Sequence, residues 1–516
     1  MSFRKSVSKA SLVCGLALPL FLAGCATEVA DPLAAPLTGN QSAVVISITS
    51  NTYQLETFDS VRLRPVGSEK EYLLKKAKKL VSRDTSLFTG VLPVGEYQFV
   101  KLEDNSSHHH LKLTSGSGFI GNFRVMGGAP VDLGRLIITP MNSDVLVGRS
   151  RRVISNFPLI KGYAPEYVPL YEKETAGGWV EPRNASDSVE DYAISKPGDL
   201  DCITEKDDKT ILASGRMGTL MVRMKQGEWR SLNSSSIAAL NCALPVNLPN
   251  ADILIPGEFG TLLRHAKGES KLHHVSTGDL PFGNLVRILG NSNNGWYVAN
   301  QEGDFVALYH SPVLENGKWT QLRKDPANWW VRERGLYNLW PTANGLAYTV
   351  GRELIRSLDF GTGQWSEIPL PEKGTDSTVT ISPTGMWAIR AGRDKNYVSF
   401  DEGKRWELVK TKLRNVYNDI GPIQQMNDGS LMVQAGNMGH VFRSLDKGQT
   451  WESGTNESRS SYRVYALKSV PLLRVQNAGY FGLMSMDSSL SGHNWYSEYD
   501  SFDLKIYEMQ KKRGLR

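Results

Sequence analysis

Short apolar or alternating runs, each bounded by Gly, Asn, Asp or Ser, follow one another along most of the chain. Such runs are typical of β-strands separated by turns. Between residues 41 and 160 they are Val44 to Ile48, Val61 to Pro65, Tyr97 to Leu102, Phe119 to Val125 and Leu136 to Thr139. After residue 200, pairs of similar runs flank glycine-rich turns. The pattern predicts an all-β protein.

The first group of runs, residues 41–160, predicts a separate small β domain. We expect an immunoglobulin-like or prealbumin-like β-sandwich. The stretch from Leu92 to Tyr97 resembles the turn-into-strand of transthyretin-like and carboxypeptidase regulatory-like sandwiches. One segment, Glu69 to Val81, has several Lys on its polar side and is compatible with a helix.

Three consecutive histidines, His108, His109 and His110, give this domain its one cluster with metal-ligand chemistry. In a strand, His108 and His110 would share a face. A zinc site needs at least one more protein ligand, and no spacing identifies it. The alternative is a solvated hairpin end, because the polar stretch Asp104 to Ser107 precedes the cluster. We therefore predict neither a metal nor a cofactor.

A repeated hairpin sequence organises the second half of the chain. Ser399 to Trp406 reads SFDEGKRW, and 45 residues later Ser444 to Trp451 reads SLDKGQTW. The Asp can accept backbone N–H groups of a tight turn, and the Gly can adopt a backbone angle that other residues resist. The Trp offers a large apolar face. Because one hairpin cannot bury that Trp, copies of the unit must stack.

Five further copies, more degenerate, complete a regular series. They are Met224 to Trp229, Ala266 to Leu272, Ser311 to Trp319, Ser357 to Trp365 and Ser485 to Trp495. Positions 229, 272, 319, 365, 406, 451 and 495 close the seven hairpins, at intervals of 41 to 47 residues. Turns that we place between the second and third strands of a unit begin at Gly215, Gly257, Gly351, Gly392, Gly436 and Gly479. A period in the forties with four strands per unit predicts a seven-bladed β-propeller.

These repeats resemble the Asp-box, or BNR, repeats of sialidases, sortilin-type receptors and the propeller factors of photosystem II assembly, over roughly residues 200–500. In those families the box lies in the hairpin between the third and fourth strands, so the resemblance implies a structural role. The residues assigned in this way are Ser357, Asp359, Gly361, Trp365, Ser399, Asp401, Gly403, Trp406, Ser444, Asp446, Gly448, Trp451, Asp487 and Trp495. The families share the box and differ in activity, so the box alone does not predict a function.

Residues 1–25 have the pattern of a bacterial lipoprotein signal peptide. An apolar stretch, Leu12 to Leu22, is too short to span a bilayer comfortably. It ends in Leu22-Ala23-Gly24-Cys25, which resembles a lipobox and implies that Cys25 carries acyl chains such as palmitate. Ala26 then implies outer-membrane sorting by analogy, with the body on the exported side, facing periplasm or exterior. An ordinary secretory signal is the alternative.

The remaining segments connect these parts. Residues 26–40 predict a flexible spacer, and residues 161–199, with four prolines, predict a linker along the propeller edge. Within that linker, Gly177 to Trp179 is alternatively a decayed box. We assign residues 200–516 to the propeller, and residues 496–516 are long enough to supply a strand that closes the ring.

Two cysteines, Cys202 and Cys242, remain after the signal peptide and Cys25 are set aside. They lie at similar positions in consecutive blades, and an oxidising compartment favours a disulfide between them. Free buried thiols are the alternative.

Composition and charge narrow the function classes. The chain is 40% hydrophobic and 22% charged, as in ordinary soluble proteins. Three of the basic residues behind the net charge of +6, Arg4, Lys5 and Lys9, lie in the signal peptide. The net charge of the chain without the signal peptide is not typical of a nucleic-acid-binding protein, and we predict no nucleic-acid partner.

The predicted binding face carries Arg and aromatic residues, which anchor protein interfaces. It comprises the turns between second and third strands and the connections between blades. The candidates are Arg216, Phe259, Trp329, Trp330, Arg332, Arg352, Arg393 and Tyr480. The sequence therefore predicts a non-catalytic scaffold that binds another protein of the cell envelope.

A glycan-binding or sialidase-like protein is the alternative function. Sialidases use three Arg, a Tyr–Glu pair and an Arg-Ile-Pro-like stretch on the first blade. The nearest stretch here, Leu254-Ile255-Pro256, has no Arg, and spacing places no Tyr–Glu pair. No catalytic residue is predicted.

Overall fold

The computed structural model describes most of the chain from Thr27 to Asp500. Its ranges are 27–52, 58–77, 82, 84–103, 110–113, 120–141, 144–181, 189–206, 208–225, 227–232, 234–303, 305–326, 338–350, 353–372, 375–391, 395–411, 413, 420–436, 440–454, 462–477 and 484–500. Cys25, His108 and His109 lie outside these ranges, and the side chain of His110 is not described.

The N-terminal part is all-β, as predicted, and its strands belong to one curled sheet. They are β1 (Thr27–Glu28), β2 (Gln41–Ser50), β3 (Ser60–Pro65), β4 (Tyr72–Lys76), β5 (Thr85–Pro93), β6 (Gly95–Glu103), β7 (His110–Lys112), β8 (Asn122–Val125), β9 (Val131–Met141), β10 (Asp144–Arg149) and β11 (Gly177–Trp179). The order is β10-β9-β2-β5-β4-β3-β6-β8-β11, with β1 beside β4 and β7 beside β6. The curl brings β11 back against β9, where the indole N–H of Trp179 donates to the carbonyl of Leu133 at 3.0 Å.

Both faces of β2 are buried, which explains why its ten residues are almost uniformly apolar or small. Val44, Ile46 and Ile48 point into the core enclosed by the curled sheet. Ala43 and Val45 point outward and pack under two short helices. Alternate side chains of a strand face opposite sides, so one strand serves two cores.

Three short helices follow the sheet strands. They are α1 (Phe157–Tyr163), α2 (Val168–Tyr171) and α3 (Val189–Ser195), with a 3-10 turn at Pro165–Tyr167 between the first two. Helices α1 and α2 cover the outer face of β2. The segment 161–199, predicted as a linker, thus contains ordered elements, and Gly177 to Trp179 forms strand β11 rather than a decayed box.

Two expectations for the N-terminal part were wrong. Residues 72–76 within the expected helix form strand β4, because Tyr72 and Leu74 alternate into the core and pair with β3. The expected flexible spacer is bound along the domain: Thr27 and Glu28 pair with β4, and the hydroxyl of Tyr167 donates to Asp31 at 3.2 Å.

Seven four-stranded sheets follow, one per blade, and confirm the seven-bladed propeller. Blade 1 has β12 (Leu200–Glu205), β13 (Ile211–Gly215), β14 (Leu220–Arg223) and β15 (Trp229–Leu232). Blade 2 has β16 (Leu244–Leu248), β17 (Ala251–Pro256), β18 (Leu262–His265) and β19 (Leu272–His274). Blade 3 has β20 (Asn284–Asn291), β21 (Gly295–Glu302), β22 (Phe305–Ser311) and β23 (Thr320–Pro326). Blade 4 has β24 (Leu339–Pro341), β25 (Gly345–Val350), β26 (Leu354–Asp359) and β27 (Trp365–Pro369).

The last three blades have the same plan. Blade 5 has β28 (Thr375–Ile381), β29 (Trp387–Ala391), β30 (Lys395–Ser399) and β31 (Glu407–Lys410). Blade 6 has β32 (Gln424–Gln425), β33 (Leu431–Ala435), β34 (His440–Ser444) and β35 (Glu452–Ser453). Blade 7 has β36 (Tyr462–Ala466), β37 (Leu472–Gln476), β38 (Ser485–Ser489) and β39 (Tyr496–Asp500).

The residue that closes each hairpin packs against the preceding blade. Trp319 joins blades 2 and 3, Trp406 joins blades 4 and 5, and Trp495 joins blades 6 and 7. Trp229, Leu272, Trp365 and Trp451 do the same at the other four interfaces. Every interface between blades therefore has its own apolar cluster, which is the burial that a single hairpin cannot provide.

Two of the predicted boxes share one hydrogen-bond pattern. The N–H of Gly403 donates to Ser399 Oγ at 2.8 Å, and the N–H of Arg405 donates to Asp401 Oδ1 at 2.9 Å. In blade 6 the corresponding bonds run from Gly448 to Ser444 and from Thr450 to Asp446. Asp359 in blade 4 instead accepts from Thr362 at 2.8 Å, and Ser357 Oγ bonds to the carbonyl of Leu346.

The box assignment in blade 7 was wrong in register. Ser485 and Asp487 lie within strand β38, where the Asp487 carboxylate accepts from Arg474 Nε at 2.7 Å. The turn serine is Ser489, whose Oγ accepts the N–H of Gly492 at 2.9 Å. The spacing matched a Ser-x-Asp that begins four residues before the turn serine. Counted back from Gly492 and Trp495, the hairpin has Leu490 where the frame expects Asp.

The ring closes through side chains rather than through a shared strand. Residues 496–500 form the fourth strand of blade 7 itself, and within the described residues each blade uses four consecutive strands. Between blades 7 and 1, Asn477 pairs with both backbone groups of Leu200 at 3.0 and 3.2 Å. Glu205 accepts the N–H groups of Lys468 and Ser469 at 2.7 and 2.6 Å.

Glu498 also closes the ring, because it bridges blade 7 to two residues of blade 1. Its carboxylate accepts both Arg223 Nε at 2.6 Å and Arg223 Nη2 at 2.8 Å, and also the indole N–H of Trp229 at 3.0 Å. Burial by itself would raise the pKa of Glu498, but the bonds from Arg223, Ser488 and Trp229 hold it below its ordinary value. The group is therefore charged at neutral pH.

Glu498→Gln should lower the free energy of unfolding by about 2 kcal/mol, since a charge-assisted bond is replaced by a weaker neutral one. Urea unfolding followed by circular dichroism measures the change. Glu228→Gln is the matched control, because its pair with Arg230 in blade 1 is exposed and should contribute nothing measurable. Equal stability of Glu498→Gln and wild type would show that this pair does not hold the ring closed.

Candidate binding face of the propeller

Each blade presents turns on two opposite faces, because its strands run antiparallel. The turn face contains the turns between second and third strands and the connections between blades. The Asp-box face contains the hairpins between third and fourth strands. The predicted Gly-x-x-Gly turns at 215–218 and 257–260 lie between β13 and β14 and between β17 and β18, on the turn face.

The N-terminal domain is docked on the turn face of blades 1 and 2. Met217 packs with Ile137 of β9 and Ala193 of α3. One blade further, Phe259 lies edge-on to Tyr163 of α1, with ring centres 5.7 Å apart. The guanidinium of Arg135 covers the same Phe259 ring at 5.1 Å. An Arg–aromatic contact thus anchors a folded domain on this face.

Met217 and Phe259 occupy the same position in successive turns and both have left-handed backbone angles, with φ of 46° and 58°. Such angles are unfavourable for residues with a Cβ. The glycines that follow, Gly218 and Gly260, are also left-handed, which lets each turn present its third residue outward. Burial against the N-terminal domain offsets the strain.

A cluster of buried charges lies in this interface. Arg135 is buried, and its Nε donates to Ser47 Oγ at 3.0 Å. Burial lowers the pKa of Arg135 to about 10, while the negative charges of Asp84 and Glu258 act in the opposite direction. Glu258 comes from the blade 2 turn, and its carboxylate accepts from Ser82 Oγ of the N-terminal domain at 2.8 Å. The cluster therefore couples the two domains electrostatically.

Other groups of the interface complete its polar network. Asp84 Oδ2 accepts the N–H of Met217 at 3.3 Å, and Asp84 Oδ1 accepts from Thr85 Oγ1 at 2.8 Å. Burial, followed by the charge of Glu258, raises the pKa of Tyr163 well above its ordinary value. Tyr163 therefore stays neutral and accepts the N–H of Phe259 at 3.4 Å.

Two of the predicted binding residues are buried or packed within this chain. Arg216 is buried, and Phe259 packs on the N-terminal domain, so neither is free to meet a partner. They were placed on the right face, but the sequence pattern did not show that the chain covers that sector itself. The other six candidates, Trp329, Trp330, Arg332, Arg352, Arg393 and Tyr480, lie outside the described residues.

The innermost strands carry a second polar cluster around the axis. Cys202 of β12 is bonded to Cys242, which precedes β16, with Cα atoms 5.1 Å apart. Arg287 of β20 reaches to 3.9 Å from Cys202 Sγ, and burial lowers its pKa to about 10. In the described part of the chain no carboxylate pairs with Arg287.

Sequence reasoning missed both arginines, although a signal was present. Arg287 interrupts the apolar run Leu285-Val286-Arg287-Ile288-Leu289, and Arg135 precedes Leu136-Ile137-Ile138. A single Arg inside an apolar strand must find a buried partner or a solvated channel.

The described residues hold two hydrogen-bonded Tyr–Glu pairs in the propeller, Tyr309 with Glu302 at 2.6 Å and Tyr397 with Glu372 at 2.9 Å. The bond to Glu372, followed by burial, raises the pKa of Tyr397. Burial, followed by the bond to Glu302, raises the pKa of Tyr309. A nucleophilic phenolate needs the opposite shift. Among the described residues, no group of three or more His, Cys, Asp or Glu is arranged to hold a metal ion.

In the described ranges, no helix is long and apolar enough to cross a membrane.

Comparisons with known proteins support no family assignment. No protein-family model matches the chain, and no curated protein matches it. A structure of YCF48 bound to D1 peptide is similar with 18% identity and a TM-score of 0.42, over 56% of this chain and 91% of that one. YCF48 from Cyanidioschyzon merolae is similar with 12% identity and a TM-score of 0.40, over 55% and 93% of the two chains. Virginiamycin B lyase from Staphylococcus aureus gives 12% identity and a TM-score of 0.36, over 57% and 92%. We base no functional argument on these likenesses.

Proposed function

We propose that the protein is an exported, lipid-anchored scaffold whose propeller binds another protein of the cell envelope through the turn face. One observation carries the proposal. The turns of blades 1 and 2 already hold a folded domain, through Met217, Phe259 and the Arg135 contact. The turns predicted at the same place in later blades carry Arg352, Arg393 and Tyr480, each one residue before the position that Met217 and Phe259 occupy.

The N-terminal domain and the propeller then form one binding unit with divided roles. The domain occupies blades 1 and 2, and a partner would occupy the sector that begins with the connection 327–337. Arginine and aromatic side chains are the residues that most often dominate protein interfaces. The N-terminal domain already binds the turns of blades 1 and 2 within the same chain. A partner protein would supply the equivalent groups from another molecule.

The membrane anchor is part of the proposal and rests on the sequence. A lipid on Cys25 would stand two residues before β1, which is paired to β4. The tether would therefore be short, and the N-terminal domain would lie close to the membrane. Palmitate incorporated by the wild type and not by Cys25→Ala would support the anchor, and outer-membrane fractionation would support its location.

Photo-crosslinking in intact cells tests whether a partner protein binds the turn face. A photoreactive residue at positions 330, 352 or 393 should give the same discrete protein adduct. Position 217 lies under the N-terminal domain and position 449 lies on the Asp-box face, and both should give no such adduct. Equal adducts from position 449, or none from the three test positions, would contradict the proposal.

Substitution with a matched control follows once the adduct is identified. Trp329→Ala with Trp330→Ala and Arg332→Ala should weaken capture by roughly thirtyfold or more, since a central anchor is worth ~2 kcal/mol. Asp446→Ala should lower the melting temperature, because it removes the acceptor of two Thr450 bonds, while capture by the folded protein stays unchanged. Hydrolysis of an aryl sialoside by the purified protein would instead favour the glycosidase.

A further inference from the structure

Three connections between strands of the N-terminal sheet each expose a large apolar side chain. Val66 lies between β3 and β4, Val94 between β5 and β6, and Met126 between β8 and β9. Their exposed fractions are 50%, 51% and 49%. Single exposed apolar residues are ordinary on protein surfaces, so the positions of these three in the sheet decide whether they form one surface.

Strand pairing places the three side chains at the same end of the sheet. Strands β3, β6 and β8 are neighbours. The N–H of Val66 donates to a carbonyl of β6 at 2.8 Å, two residues after Val94. Gly95, which follows Val94, pairs with Val125, which precedes Met126. The three residues therefore form one surface, the apolar end of the domain.

The described chain begins at this apolar end. The N–H of Thr27 donates at 2.8 Å to the carbonyl of Glu71, in the same connection as Val66. Thr27 pairs with Tyr72, the first residue of β4, and β1 runs parallel to β4, away from the apolar end. Two residues of extended chain span about 7 Å at most, so a lipid on Cys25 would lie beside the apolar end.

The propeller is bound at the opposite end of the same strands. Strand β2 has ten residues and runs from Gln41, which pairs with Pro93 next to the apolar end, to Ser50. The N–H of Ser50 donates to the carbonyl of Asp84 at 2.9 Å, and the Asp84 carboxylate accepts the N–H of Met217 in blade 1. A strand of this length separates the apolar end from the propeller contact by roughly 30 Å.

Charges around the apolar end have both signs. The described cations there, Arg64, Lys70 and Arg124, are matched by the carboxylates of Glu69, Glu71 and Glu96. This part of the described chain therefore has no excess of cations of the kind that attracts anionic lipid. A contact made by the apolar end would depend on its apolar side chains.

We propose that the apolar end rests on the bilayer that holds the lipid of Cys25, with Val66, Val94 and Met126 at the boundary between headgroups and acyl chains. The inference rests on the lipid anchor of the proposed function. An acyl anchor by itself leaves the body free to rotate about its tether, whereas this contact fixes the orientation. The N-terminal domain then acts as a spacer that holds the propeller contact roughly 30 Å from the membrane.

Fluorescence quenching tests the contact in the acylated full-length protein, reconstituted in phosphatidylcholine vesicles. A fluorophore on Glu69→Cys, in the same connection as Val66, should be quenched by lipids that carry a spin label near the headgroup boundary. Adding Val66→Ser, Val94→Ser and Met126→Ser should abolish this quenching, because the apolar contact is lost while the acyl anchor remains. The three substituted side chains are half exposed on turns, so the variant should stay folded, which circular dichroism checks.

Val313→Cys is the matched control for the label, since Val313 is 57% exposed in blade 3 of the propeller. A fluorophore there should not be quenched. Because the contact is apolar, adding phosphatidylglycerol to the vesicles should leave the quenching at position 69 unchanged, and a contact seen only with that lipid would contradict the proposal.

Other outcomes separate this contact from the anchor. If the protein stays with the vesicles while the label at position 69 is quenched no more than the label at position 313, the contact is wrong and the anchor stands. Equal quenching at position 69 with and without the three Ser changes would also overturn the contact. If the wild type carries no acyl chain, the anchor and the contact both fail. A discrete protein adduct from a photoreactive residue at position 94 in intact cells would assign the apolar end to a protein partner instead.

Discussion

Replacing Arg135 with Met should destabilise the protein by about 3–5 kcal/mol, because the change removes one partner from a buried set of charges. The carboxylates of Asp84 and Glu258 would lose the favourable influence of the Arg135 charge. The contact with Phe259 would also be lost. We expect two separate transitions in calorimetry, the N-terminal domain and the propeller unfolding independently.

Two further variants distinguish lost coupling from a general loss of packing. Arg124→Met is the matched control on the same sheet, because Arg124 is exposed and its pair with Glu96 is long, at 3.4 Å. It should leave the transition unchanged. Adding Glu258→Gln to Arg135→Met should recover part of the lost stability, since it removes one of the negative charges that Arg135 influences. A single transition at the wild-type temperature for Arg135→Met would refute the coupling.

Removing the Cys202–Cys242 bond should cost about 4 kcal/mol, because a crosslink across 40 residues restricts the unfolded chain. The bond links the innermost part of blade 1 to that of blade 2, so its loss should loosen the ring near the axis. Double substitution to Ala, followed by guanidinium unfolding, measures the cost. Mass spectrometry of non-reduced peptides identifies the crosslinked pair in the native protein.

Reduction of the wild type provides the control for this experiment. If the bond acts through the unfolded chain, reduced wild type and the double Ala variant should have the same midpoint. Full alkylation of both thiols without prior reduction would show that the bond is absent from the native protein.

The propeller could be predicted because its signal is local. The hydrogen bonds of the box in blade 5 connect residues within six positions of one another, from Ser399 to Arg405. Their chemistry is therefore readable in any window of that size. The period then requires stacking, since each closing Trp needs a neighbouring blade.

The register error at Asp487 marks the limit of such reading. Ser485 and Asp487 match the box frame, yet they lie within strand β38, which pairs with β37. Ser489 makes the turn. When an insertion is allowed, the box motif can be aligned with residues 485–495 in two ways. The packing of β38 between β37 and β39 selects one of them. The helix expected at 69–81 failed for a related reason, because pairing of β4 with β3 overrides local propensity.

The sequence by itself determined the strand class, the number of blades and the approximate positions of the hairpins, because those depend on short-range backbone chemistry repeated at a fixed period. Only the tertiary structure decided which surfaces remain available. Phe259 packs against Arg135 and Tyr163, which lie 124 and 96 positions before it in the sequence, and no periodicity encodes such contacts. Val66, Val94 and Met126 stay half exposed because nothing in the described chain folds over them. Burial between distant segments depends on how whole domains dock, and that is settled by three-dimensional packing rather than by local pattern.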